Sequence, residues 1–197
     1  MTKLGPMHHK TLTRPTNANG DAVLNFWFVE SKPYQWFRRD NAFDTAIKTR
    51  FGALHEAASE GRLEVWRAHP VHSLSLIILL DQFSRNLYRD TPRAFAQDDH
   101  ALDVAREAIR CRFDQRVNEQ RRAFFYMPFM HAEALPVQEE CVELFKARLP
   151  TTMNVPFAIE HRDIIRRFGR FPHRNKVFER KSTPEEIAFL KAGGFNP

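Results

Sequence analysis

Cysteine is nearly missing from this chain: Cys111 and Cys141 are the only two among 197 residues, and they show no CxxC spacing. That scarcity excludes a disulfide framework and a zinc knuckle, and it makes a reducing, cytoplasmic setting the expectation. Long apolar runs are missing as well. The longest, Leu74 to Leu80, is interrupted by Ser75 and falls far short of the roughly 20 residues that cross a bilayer, so no membrane association is expected. The first twenty residues contain Gly5, Pro6, Pro15 and Gly20 but no apolar h-region, which argues against a secretory signal. They read instead as a flexible arm over 1–20 that includes His8 and His9. No stretch alternates apolar and polar residues over strand length, and no fixed period marks a repeat array.

What is present is a strongly apolar, aromatic chain. Hydrophobic residues make up 43%, with 18 Phe, enough for one globular domain over 21–197. Lys and Arg number 30 against 24 Asp and Glu, a formal charge of +6, and the stretch 160–181 alone holds eight basic and three acidic residues. Concentrated in this way, positive charge attracts anionic ligands or nucleic acid, or else it forms a solvated basic face. The absence of any recognised nucleic-acid motif argues against RNA or DNA as the partner.

Apolar residues recur at helical spacing throughout, which predicts an all-α fold of six to eight helices joined by short, antiparallel connections. Phe43, Ile47, Phe51, Leu54 and Ala58 form one stripe, opened by Asp40 as N-cap and closed by Gly61. Ala101, Val104, Ala105, Ala108 and Ile109 repeat the pattern, as do Val137, Cys141, Leu144 and Phe145. Leu74 to Leu80 is apolar all round, the mark of a central helix. The last helix carries a full set of boundary signals: Thr183 as N-cap, Pro184 at the first position, Glu186 completing a capping box, and Gly193 past the end.

Three stretches carry candidate chemistry. In the first, Asp81, Gln82, Arg85 and Asn86 continue the buried helix, and Asp81 and Arg85, four apart, share a face and can pair. The pair is either a structural lock on helix packing or, with Gln82, the lining of a cleft in which Asp81 orients the guanidinium. The second, residues 121–133, contains Pro128, which predicts a bend or restart of its helix, and it ends in His131 and Glu133. Two apart on a helix, those side chains face different sides.

In the third, Phe157, His161, Ile164, Ile165 and Phe168 form an inward stripe, while Asp163 and Arg167 are spaced to pair. On that stripe His161 is either a hydrogen-bonded core residue or a proton carrier. Gly169 ends the helix, and Pro172 forces Phe171 to be extended. Arg170, His173, Arg174 and Asn175 then project from a constrained turn, a fitting arrangement for forked donors to an anion.

The segments LNFWF at 24–28, WF at 36–37, LIILLDQFSRN at 76–86, TPRAFAQD at 91–98, FFYMPFMHAE at 124–133 and HRDIIRRFGRFPHRN at 161–175 resemble the bacterial family catalogued as domain of unknown function 924, over about residues 21–192. The resemblance implies an all-helical, tetratricopeptide-like fold, a bundle or superhelix, and it brings no reaction. The family pattern has proline where Ser84 stands, serine at Ala132 and a glycine near Glu179; the loss of a hydroxyl at Ala132 speaks against serine-based chemistry.

The leading expectation is a cleft that binds a phosphate- or carboxylate-bearing small molecule. Asp81, Gln82, Arg85, Asn86, Arg170, His173, Arg174 and Asn175 would contact or orient the ligand, and His131, Glu133 and His161 would be available for acid–base work. The alternative is a non-catalytic helical scaffold for a protein or peptide. His131, Glu133, His161 and His173 would ligate a metal only if folding gathered them, and neither metal nor cofactor is expected.

Overall fold

The computed structural model describes residues 17–194. His8 and His9, and the rest of the expected arm through residue 16, lie outside them. Helix α1 (Asn17–Asn25) begins inside the stretch read as arm and runs on into a π turn at Phe26–Glu30. The remaining α-helices are α2 (Pro33–Trp36), α3 (Asn41–Ser59), α4 (Pro70–Ile77), α5 (Ser84–Leu87), α6 (Asp98–Arg110), α7 (Glu119–Met130), α8 (Leu135–Arg148), α9 (Asn154–Phe168) and α10 (Pro184–Lys191). Among the described residues there is no strand. None of their helices is long and apolar enough to cross a membrane.

The helix ends follow the local chemistry. Asp40 accepts from the Ala42 and Phe43 amides to open α3, and Gly61, at φ +74°, follows its end. Gly169, at φ +70°, closes α9 in the left-handed conformation that costs glycine nothing. Thr183 and Glu186 form the expected reciprocal capping box on α10. Phe171 is extended ahead of Pro172, which opens a single 3-10 turn, Pro172–Arg174.

Leu74 to Leu80 is wholly buried and central, packing against α1, α6 and α7. It is not one regular helix: α4 passes through a π turn at Ile78–Phe83 before α5 resumes. A π turn widens the helix by one residue and shifts the face that follows, often beside functional sites. Trp27, Phe26, Phe43, Phe51 and Phe83 interlock around this segment at ring separations of 5.2–6.1 Å. Each such buried ring is worth roughly 1.5–3 kcal/mol of transfer free energy. Further along, α6, α7, α8 and α9 each pack on their chain neighbour, as short connections require.

Several local expectations are corrected. Of the bend or restart expected at Pro128, there is no restart: α7 runs through Pro128 and ends two residues later, because the missing amide removes only one bond in the last turn. His131 and Glu133 therefore sit in the connection to α8, where helical spacing no longer governs their directions. Phe157 is half exposed, since it lies on the first turn of α9, ahead of the buried His161, Ile164 and Ile165. Asp163 binds Arg162 and Arg166, while Arg167 pairs with Glu185. A carboxylate from α10 thus takes the guanidinium that α9 alone would have paired internally.

Candidate functional site

Six of the eight basic residues of 160–181 are ion-paired, with carboxylates contributed largely by other elements. The charge run is consequently not a free basic face. Two separate groupings emerge from it.

The first centres on Glu186, which is almost completely buried. It accepts from Arg170 at 2.7 and 2.9 Å, from Asn175 at 3.1 Å and from the Thr183 amide at 2.8 Å. Arg170 leads the interactions that hold its carboxyl down to about 2. Arg170 and Asn175, expected to face a ligand, are committed to this lock between the 170–175 turn and α10. Asn86 is likewise directed elsewhere, donating to Asp44 at 2.8 Å.

The second grouping joins the π turn of the central helix to three distant segments. Asp81, fully buried, accepts from His131 Nδ1 at 2.7 Å and from Gln82 at 2.6 Å, and it lies 3.2 Å from Arg85. Arg85 grips Asp98 at the start of α6 with two parallel bonds of 3.0 Å. Arg174 reaches the same carboxylate at 3.3 Å. Arg174 is buried, with its guanidinium 4.4 Å from the centre of the Phe95 ring and 4.7 Å from that of Phe171, and its Nε has no hydrogen-bond partner. Beside it, Glu133 accepts from Arg180 at 2.6 and 2.9 Å and from the Phe171 amide at 2.8 Å.

Electrostatics assigns protonation states within the cluster. Burial works against the Asp81 charge, yet the facing His131 and Arg85, with hydrogen bonds from His131 and Gln82, hold its carboxyl below the usual range. Burial, reinforced by Arg85, lowers His131 against the pull of Asp81. A carboxylate only accepts, so His131 carries its proton on Nδ1 and the lone pair on Nε2. The same argument applies to His161, whose Nδ1 donates to the Phe157 carbonyl at 2.7 Å; burial pushes it down to about 4. Burial and then Arg174 take His173 down to about 3. Burial and the facing Arg85 bring Arg174 itself down to about 10.

Asp81, Gln82, Arg85, His131, His161, His173, Arg174 and Glu133 are thus gathered, whereas Asn86, Arg170 and Asn175 are not. Sequence reasoning missed Asp98, Phe95, Phe171 and Arg180. Asp98 and Phe95 lie in TPRAFAQD, and an acidic residue opening α6 reads locally as helix-end chemistry. Only its long-range partners reveal the other role. Among the described residues no group of three His, Cys, Asp or Glu side chains is placed to hold a metal ion. Two surface hollows adjoin α3, one of about 230 Å³ lined by His55, Tyr88, Arg93 and Gln97 and one of about 220 Å³ lined by Asp44, Lys48 and Asn86.

Fold and cluster together define an all-α protein whose central helix carries a buried Asp–His–Arg network. The chain belongs to the bacterial protein family of unknown function DUF924, whose model matches residues 23–194. A solved structure from Agrobacterium tumefaciens, that of the protein of unknown function ATU0120, is 42% identical. It superposes with a TM-score of 0.86 and covers 91% of this chain and 100% of its own. No curated protein matches this chain.

Proposed function

We propose that the protein binds a small molecule bearing a phosphate or carboxylate group at the edge of the cluster formed by Arg85, Arg174 and His131. The observation that carries this reading is Arg174. A buried guanidinium is ordinarily saturated with partners, because each unmet N–H costs about 1–3 kcal/mol. Arg174 instead shares one carboxylate with Arg85 and keeps an unpartnered Nε. A spare donor on a rigid, aromatic-clamped cation suits an anionic group. His131, fixed by Asp81 with its lone pair on Nε2, adds a proton acceptor in the arrangement used for general-base chemistry.

Thermal unfolding in the presence of sulfate, inorganic phosphate and a panel of phosphorylated and carboxylated metabolites tests the reading. A ligand at 100 times its Kd adds about 2.7 kcal/mol, an easily measured rise in Tm. The rise is expected in the wild type and lost in Arg174→Met. A flat response across the panel, or an equal response in Arg174→Met, removes the proposal.

A scaffold role draws support from one other observation. Val29, Tyr34 and Phe37, within a single short stretch, are each at least 60% exposed, an apolar concentration of the kind that partners cover. Under that reading, Tyr34→Ser with Phe37→Ser abolishes a reproducible partner interaction and leaves Tm unchanged.

A further inference from the structure

We propose that an anion enters this site together with one proton, which His131 accepts at Nε2, so that the ligand is taken up as a net acid. The inference rests on the anion-binding reading above and concerns what balances the ligand's charge. Three carboxylates already meet three guanidiniums in the cluster. Asp81 contacts Arg85, Asp98 contacts Arg85 and Arg174, and Glu133 contacts Arg180. An additional negative charge would therefore have no free counter-charge in a region where unbalanced ions are strongly disfavoured.

Near neutral pH the groups able to supply that charge are the imidazoles. His131 faces Asp81, Arg85 and Asp98; His161 faces His131 and Arg174; His173 faces Arg174, His161, Glu133 and Arg85. His131 has a carboxylate bonded directly to its ring, at 2.7 Å, and 17% of its side chain meets solvent. An imidazolium there forms against Asp81 and can draw its proton from water. Because Nδ1 is committed to Asp81, the incoming proton goes to Nε2, and the ring then donates from both nitrogens, one to Asp81 and one to the ligand. Burial and Arg85 favour the neutral His131 ring, and an anion beside Arg85 cancels the second of these influences. The competing route is displacement of Asp98 from Arg174 by the ligand, which preserves charge balance without any proton.

Sulfate, which does not itself titrate near neutrality, separates these routes when added to the full chain at ionic strength held constant with chloride. The imidazole ¹⁵N resonances of His131 are expected to change at saturation from a ring protonated on one nitrogen to one protonated on both. The Kd is expected to weaken by up to about tenfold per pH unit between pH 6 and 8. His131→Asn, whose amide retains a donor for Asp81, is expected to bind sulfate at least about tenfold more weakly at pH 6 and with no such pH dependence. Sulfate binding that leaves His131 neutral and has a pH-independent Kd overturns the inference and favours Asp98 displacement. A pH slope that persists in His131→Asn also overturns it. Absence of any rise in Tm at every pH with sulfate, inorganic phosphate and the metabolite panel alike defeats the anion-binding reading itself, an outcome distinct from the other two.

Discussion

Arg174 lies 3.3 Å from Asp98, a partner 76 residues earlier in the chain, and this ion pair draws the turn after α9 onto the start of α6. Arg85 holds the other side of the same carboxylate. Asp98 therefore keeps two guanidiniums together that would otherwise repel.

Removing that carboxylate should be costly and its cost should depend on Arg174. Asp98→Ala is expected to lower stability by about 3 kcal/mol, because it leaves a buried cation uncompensated. Arg174→Met in the same chain should restore much of the loss, since an apolar side chain of similar length needs no counterion. Urea unfolding of the two single variants and the double variant measures the coupling; strict additivity would show that the pair does not interact.

Stability should fall on acidification. His161 takes up its proton only near pH 4 when folded, whereas an unfolded imidazole does so near 6.5. Between these values the unfolded chain binds more protons, so the stabilisation is fully present above about pH 6.5 and is lost as pH falls through about 4. The contribution of His161 is roughly 3 kcal/mol. His161→Asn keeps a donor for the Phe157 carbonyl and should flatten the curve of unfolding free energy against pH over that window. A curve of unchanged steepness would exclude His161 as a source.

Glu186 should matter more than an ordinary capping residue. Glu186→Gln weakens its bonds to Arg170 and removes its charge, with an expected loss of about 2–4 kcal/mol. Thr183→Ala, which removes one cap bond, should cost only about 1 kcal/mol. Equal losses on chemical denaturation would reduce Glu186 to its capping role.

Glu179 adopts φ +54°, a left-handed conformation that disfavours side chains with a Cβ. Glu179→Gly should leave Tm unchanged or raise it, while Glu179→Val should lower stability by about 1–2 kcal/mol, as β-branching aggravates the clash. A drop in Tm for the glycine variant would show that the Glu179 side chain contributes more than its backbone strain removes.

Much of the architecture was legible locally. The Asp40 and Thr183 caps, the Gly61, Gly169 and Gly193 ends and the extended Phe171 each depend on a few neighbouring atoms, which the order of residues specifies directly. The Asp81–Arg85 pair is of the same kind, one helical turn apart. Pairing chosen across the fold was not legible: Arg167 prefers Glu185 on α10 to Asp163 on its own helix, and Arg170 turns to Glu186. The π turn at Ile78–Phe83 also escapes pattern reading, because a one-residue widening leaves the apolar run looking helical.

The residues alone determined that the chain is helical, where α3 and α10 begin and end and where α9 ends, since backbone sterics, capping and periodic burial act within a turn or two. Tertiary structure decided which polar groups meet. Asp98, His131 and Arg174 are brought to Asp81 by packing of α6, α7 and the turn after α9, and long-range charge pairing follows from where burial places each helix, not from spacing along the chain.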